Sequence, residues 1–137
     1  MSITYTPEDA DIMARTVYGE ARGEQRAGQI AVAWVIRNRA ARPGWWGRDI
    51  KGVCLKKYQF SCWNRNDANF KQVHSVTLAI AAFRQCMEVV DQVLRDKAPD
   101  PTKGATHYHV HNILPVWAKG LKPCVRIGAH VFYNNVK

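Results

Sequence analysis

The chain has 137 residues, the length of one ordinary domain, and its 47 % apolar and 23 % charged residues exclude global disorder. The longest apolar run, Ile30 to Ile36, falls far short of the ~20 residues needed to span a bilayer. The opening Met1-Ser2-Ile3-Thr4 lacks the basic and apolar regions of a signal peptide. These features predict a single soluble domain over residues 1–137, made in the cytoplasm, with no membrane span.

Twenty Lys and Arg against eleven Asp and Glu give a net charge of +9 and a pI near 9.7. Such a surface favours polyanions: nucleic acid, an anionic membrane or an acidic cell-wall polymer. The basic residues are dispersed, with Lys56-Lys57 the only adjacent pair, and zinc-finger spacing and glycine-rich phosphate loops are missing. Nucleic acid is therefore not the expected partner. The four cysteines (54, 62, 86 and 124) include no Cys-x-x-Cys pair, and a cytoplasmic origin predicts free, buried thiols.

In chain order, Thr6-Pro7-Glu8-Asp9 is a helix start: an N-cap, proline at the first helical position and acids in the first turn. This helix is expected to reach Arg22, with Gly23 supplying a left-handed residue after its end. Its inward stripe reads Ala10, Met13, Val17 and then Glu20, so a carboxylate continues an apolar face. The run Ile30–Ile36 is apolar all round, and its alanines place it in a central helix from Gln25 or Arg26 to Ala41, ended by Arg42-Pro43-Gly44.

Residues 43–70 read as irregular and carry Trp45, Trp46, Tyr58, Phe60, Trp63 and Phe70, a composition suited to a ligand groove. Val76, Ile80, Phe83, Met87, Val90 and Leu94 step by four and three, predicting a third helix that ends at Ala98-Pro99-Asp100-Pro101. Strands follow at 105–110, 125–127 and 130–133, with Gly128-Ala129 as a two-residue hairpin turn. The sum is an α+β fold, with helices packed beside a small antiparallel sheet.

A carboxyl on an apolar face has its charged form disfavoured and its pKa raised. A glutamic acid protonated near neutral pH is what a general acid for glycosidic cleavage requires. Gly19 beside it leaves room for close approach of a substrate. The competing reading of Glu20 is a structural ion pair with Arg22, Arg37 or Arg39. His107, His109 and His111 alternate and would share one strand face, where imidazoles can bind zinc, with His74 and His130 as further donors. A basic binding module without catalysis is a third reading.

Tyr18-Gly19-Glu20-Ala21-Arg22-Gly23-Glu24, Gly28-Gln29-Ile30-Ala31-Val32-Ala33 and Val35-Ile36-Arg37-Asn38-Arg39 closely resemble the SleB-like cell-wall hydrolases. That family includes spore-cortex-lytic enzymes and many bacteriophage endolysins. Gln59-Phe60-Ser61-Cys62-Trp63 resembles its central motif, and Gly104–His109, Pro115–Ala118 and Ile127–Tyr133 resemble its C-terminal blocks. The resemblance implies a lysozyme-like α+β fold in one catalytic domain that cleaves peptidoglycan glycan strands, with Glu20 as the catalytic residue. Tyr18, Gln59, Phe60, Ser61, His107, His109 and Tyr133, within the matching blocks, are the expected substrate-binding residues.

The resemblance further implies a lytic transglycosylase that cuts between N-acetylmuramic acid and N-acetylglucosamine with one carboxyl, no cofactor and no metal. The alternatives are a hydrolytic muramidase, with Glu24, Asp49 or Asp67 as second carboxyl, and a zinc-dependent amidase. The expected setting is a monomeric phage endolysin, made in the host cytoplasm and reaching the periplasm after holin-type release.

Overall fold

The computed structural model describes residues 2–137. Helix α1 (Pro7–Ala21) starts at a capping box: the Thr6 hydroxyl accepts from the Asp9 amide at 3.1 Å, and the Asp9 carboxylate accepts from the Thr6 amide at 2.9 Å. Its end differs from expectation. Gly23 does not take a left-handed conformation; Arg22 stays right-handed and the Glu24 amide closes a turn onto the Ala21 carbonyl.

Helix α2 (Arg26–Ala41) is central, and its position explains its all-round apolar character. Val32, Ala33 and Ile36 face the main core with Met13, Val17 and Val90, while Ala31 and Val35 pack against Ala105 and Phe132 on the sheet side. Residues 43–70 are more regular than expected. They contain helix α3 (Ile50–Leu55), capped by the Asp49 carboxylate on the Gly52 amide at 2.7 Å, and a 3-10 turn at Ser61–Trp63. Helix α4 (Phe70–Ser75) follows.

Helix α5 (Ala81–Leu94) begins later than its stripe suggests. Val76 is the extended residue that ends α4, its carbonyl accepting from Arg15, and Ile80 is a 47 % exposed N-cap. The true buried face is Phe83, Cys86, Val89, Val90, Val93 and Leu94. The step-of-four pattern had joined two elements.

The sheet orders its strands β1-β3-β2, with β1 at His107–Val110, β2 at Val125–Ile127 and β3 at His130–Tyr133 in the centre, all antiparallel. The β2–β3 register, Ile127 opposite His130, leaves Gly128-Ala129 as the loop, with Gly128 at φ +58°. Strand β1 is two residues shorter than expected, although the Thr106 amide still bonds the Tyr133 carbonyl. All four cysteines are free.

Candidate active site

The stripe Met13, Val17, Glu20 carries α1 out of the main core to the point where it meets β1 and the 61–63 turn. Met13 and Val17 are fully buried; Glu20 opens instead into a cleft of about 350 Å³. The Tyr108 hydroxyl donates to Glu20 Oε1 at 3.0 Å, and the Cys62 backbone and thiol lie beside the same carboxyl. Burial raises the Glu20 pKa, and these polar neighbours, Tyr108 first, pull it part of the way back. Burial also raises the Tyr108 pKa well above its usual value, so its hydroxyl stays a donor.

Glu20 has no cationic nitrogen within 4.0 Å among the described residues, so the structural ion pair is not formed. Arg22 donates instead to Asn69 and Gln72 at 2.6 and 2.8 Å, and Arg37 pairs with Asp96 at 2.6 Å. Arg39 Nε donates to the Thr106 carbonyl at 2.6 Å, its guanidinium held by the Trp46 and Phe60 rings.

Gly19 acts differently from expectation. A Cβ there would lie 2.6 Å from Cys62 Cβ and 2.7 Å from Val73 Cγ2. The missing side chain lets the 61–63 turn approach α1 and bring Cys62 to Glu20; the space is filled by protein.

Of the expected substrate-binding residues, Gln59, Phe60, Ser61 and His109 line the Glu20 cleft. The Gln59 amide donates to the Trp46 and Val53 carbonyls, which pins the start of the 59–63 segment. Tyr133 stands behind His109, its hydroxyl 2.9 Å from His109 Nε2. His107 lies in the adjoining cavity among Trp45, Trp46 and Trp117, and burial takes its pKa down to about 4. Tyr18 is not brought to the cleft; it is a core residue, edge-on to Phe83 and beneath Arg22.

His107 and His109 share a face of β1 and both contact Trp117, but His111 is exposed beyond the strand. Among the described residues no three His, Cys, Asp or Glu side chains are grouped to hold a metal ion. None of the three candidate second carboxyls lines the Glu20 cleft. Asp49 caps α3, and Asp67 accepts from the Asn69 amide at 2.8 Å while its charge helps raise the Glu20 pKa. Glu24 accepts from the Ala129 amide at 3.0 Å and holds the β2–β3 turn. Glu20 is the only acidic side chain lining its cleft among the described residues.

Sequence reading passed over Tyr108, although it sits between two singled-out histidines. Alternation along β1 sends it to the opposite face, toward α1, Phe132 and His130.

This is a lysozyme-like α+β domain whose cleft holds one buried acid on a helix beside a three-stranded sheet. The cell wall hydrolase family model (Hydrolase_2) matches residues 23–133, and the chain belongs to that family. The spore cortex-lytic enzyme of Halalkalibacterium halodurans is 32 % identical over 131 residues, 95 % of this chain and 36 % of the relative. That of Bacillus subtilis is 28 % identical over 134 residues, 93 % of this chain and 38 % of the relative. The chain thus spans little more than a third of the length of these curated relatives.

Among solved structures, the catalytic domain of Bacillus cereus SleB superposes with a TM-score of 0.77 at 27 % identity, covering 95 % of this chain and 92 % of that one. The catalytic domain of the germination-specific lytic transglycosylase SleB from Bacillus anthracis gives 0.76 at 26 % identity, covering 97 % and 99 %. The family match begins three residues after Glu20, whereas the 95 % span shared with the H. halodurans enzyme is wide enough to take in α1.

Proposed function

We propose that the chain cleaves peptidoglycan between N-acetylmuramic acid and N-acetylglucosamine as a lytic transglycosylase. The observation that carries this reading is the solitary, buried Glu20 with its raised pKa. Its carboxyl proton passes to the glycosidic oxygen as the bond from that oxygen to muramoyl C1 breaks. The muramoyl 6-hydroxyl oxygen then bonds to C1, and its proton returns to the Glu20 carboxylate. One group serves both transfers, and no water is consumed. Tyr108 and Cys62 stabilise the carboxylate between the two steps. Gln59, Phe60, Ser61 and His109 form the near substrate wall, and His107 belongs to its extension.

The similar domain from Bacillus anthracis, a germination-specific lytic transglycosylase, supports the same reaction class. A hydrolytic muramidase is the second reading, favoured by one observation: Asp67 is the acid whose charge reaches Glu20. Hydrolysis would need a second group to activate water. Mass spectrometry of soluble products from purified sacculi separates the two. Transglycosylation leaves 1,6-anhydromuramoyl ends that borohydride does not reduce; reducing muramic acid as the sole early product would overturn it. Freed peptides with intact glycan would point to an amidase.

A role in phage lysis extends this proposal and rests on the sequence resemblance alone. Co-expression with a holin would lyse a Gram-negative host, whereas expression alone would not.

A further inference from the structure

The Glu20 cleft continues into a second cavity of about 550 Å³, and Arg39, Gln59 and Tyr108 line both. The second cavity is strongly one-sided in charge. Arg39, Lys56, Lys57 and Lys137 line it, and no Asp or Glu side chain does. Its aromatic walls are Trp45, 64 % exposed, and Trp117. Exposed aromatic faces beside cations suit a sugar ring that carries an anionic substituent.

Arg39 is the decisive residue. It is only 8 % exposed, yet no carboxylate lies within 4.0 Å of it among the described residues. Of its five N–H donors, Nε is taken by the Thr106 carbonyl, and the terminal nitrogens have no hydrogen-bond partner among the described residues. Arg37, two residues earlier on α2 and similarly buried, has Asp96 at 2.6 Å. A largely buried cation that opens to a cavity and has no counter-ion gains from an anion that arrives to pair with it. Arg39 is held in place for that event by Thr106 and by the rings of Trp46 and Phe60.

We propose that the second cavity is a carboxylate-binding subsite, in which Arg39 grips an acid group carried by the glycan while Lys56 and Lys57 draw it in. This rests on the glycan-strand reading above. The carboxylate comes from one of two sources on a muramoyl residue: the lactyl group itself where no stem peptide is attached, or the stem peptide where one is. The subsite fixes which sugar stands on which side of Glu20, because only the muramoyl residue bears the acid.

The test measures binding rather than turnover, using the Glu20→Gln protein and co-sedimentation with purified sacculi at 0.1 M salt. Three preparations are compared: intact sacculi, sacculi stripped of stem peptides by an amidase, and sacculi whose carboxyls are converted to neutral methylamides. Binding is expected to weaken about tenfold on the neutral preparation. Adding Lys56→Gln/Lys57→Gln weakens binding to intact sacculi several-fold and leaves binding to neutral sacculi unchanged. Arg39→Lys, which keeps the charge and loses the planar fork, behaves like the lysine pair. A charge-matched control, Lys71→Gln/Lys97→Gln, lies outside both cavities and leaves binding unchanged.

Stripping frees the lactyl carboxyl, which in intact sacculi is amide-bonded to the stem. Stripped sacculi that bind at least as well as intact ones show that the lactyl carboxylate fills the subsite; those that bind like neutral ones assign the stem peptide. Equal binding to intact and neutral sacculi overturns the proposal. So does an equal loss from the control pair, which would reduce the effect to net charge. A wild-type protein that releases no glycan fragments would sink the catalytic reading while leaving this binding pattern to be judged by itself.

Discussion

Tyr108 and Glu20 stand 88 positions apart in the chain, yet the tyrosine hydroxyl donates to Glu20 Oε1 at 3.0 Å. This bond favours the carboxylate, while burial favours the neutral acid, and burial prevails. The protonation of the proposed general acid is therefore set by a balance between a helix end and a strand.

Tyr108→Phe removes the opposing donor, so the Glu20 pKa moves further up and the alkaline limb of the kcat/KM profile shifts to higher pH. The carboxylate left after proton donation also loses a partner. A hydrogen bond to a charged group contributes about 1.5–3 kcal/mol, which predicts a fall in kcat of roughly 10- to 100-fold. An unmoved alkaline limb would show that the hydroxyl does not act on Glu20.

Glu20→Gln is expected to keep the fold and lose about two to four decades of lytic activity. Its stability carries a second signature. A carboxyl whose folded pKa is raised contributes stability that is fully present below its unfolded value, here near 4.5, and lost as pH rises through the folded value. The Gln variant is therefore expected to melt above the wild type at neutral pH, with the gap closing as pH falls through the raised folded value and gone below about 4.5. Thermal unfolding across this range checks the sign.

Local signals in the sequence placed α1, α2 and the β2–β3 hairpin well, because each is specified by neighbours: the Thr6-Pro7 start, the all-apolar run and the Gly128 turn. Glu20 was legible because a helical period forced a carboxylate onto an apolar face. Helix α5 was misjudged at its start because Val76 belongs to α4 and happens to fall in phase. The partners of Glu20 were not legible. Tyr108 and Cys62 reach it only through tertiary packing, and nothing in their local spacing announces this.

Gly19→Ala tests that packing. The added Cβ meets Cys62 and Val73 at 2.6–2.7 Å, so the 61–63 turn must move away from α1. Overpacking of this kind costs about 1–3 kcal/mol, and Cys62 would leave the Glu20 carboxyl. Chemical denaturation should show the loss, together with a fall in kcat. Gly23→Ala is the control, since no atom lies within 4 Å of a Cβ there and its backbone is not left-handed.

Glu24 offers the sharpest separation between a structural and a catalytic carboxyl. It lies one turn beyond Glu20, but its Oε1 accepts from the Ala129 amide and stands 3.9 Å from His130 Nδ1. A Cβ at Gly128 would run into the same oxygen, so the carboxylate and the glycine turn fit one another. Glu24→Gln retains an acceptor oxygen in place, and lytic activity should stay within a few-fold of wild type. Glu24→Ala leaves the Ala129 amide without its partner, at a cost of about 1–3 kcal/mol, and should loosen the hairpin whose next residue, His130, lines the Glu20 cleft. Turbidity clearance and thermal unfolding of both variants check this. If Glu24→Gln lost activity as steeply as Glu20→Gln while melting normally, Glu24 would be a second reacting carboxyl, and hydrolysis would displace transglycosylation.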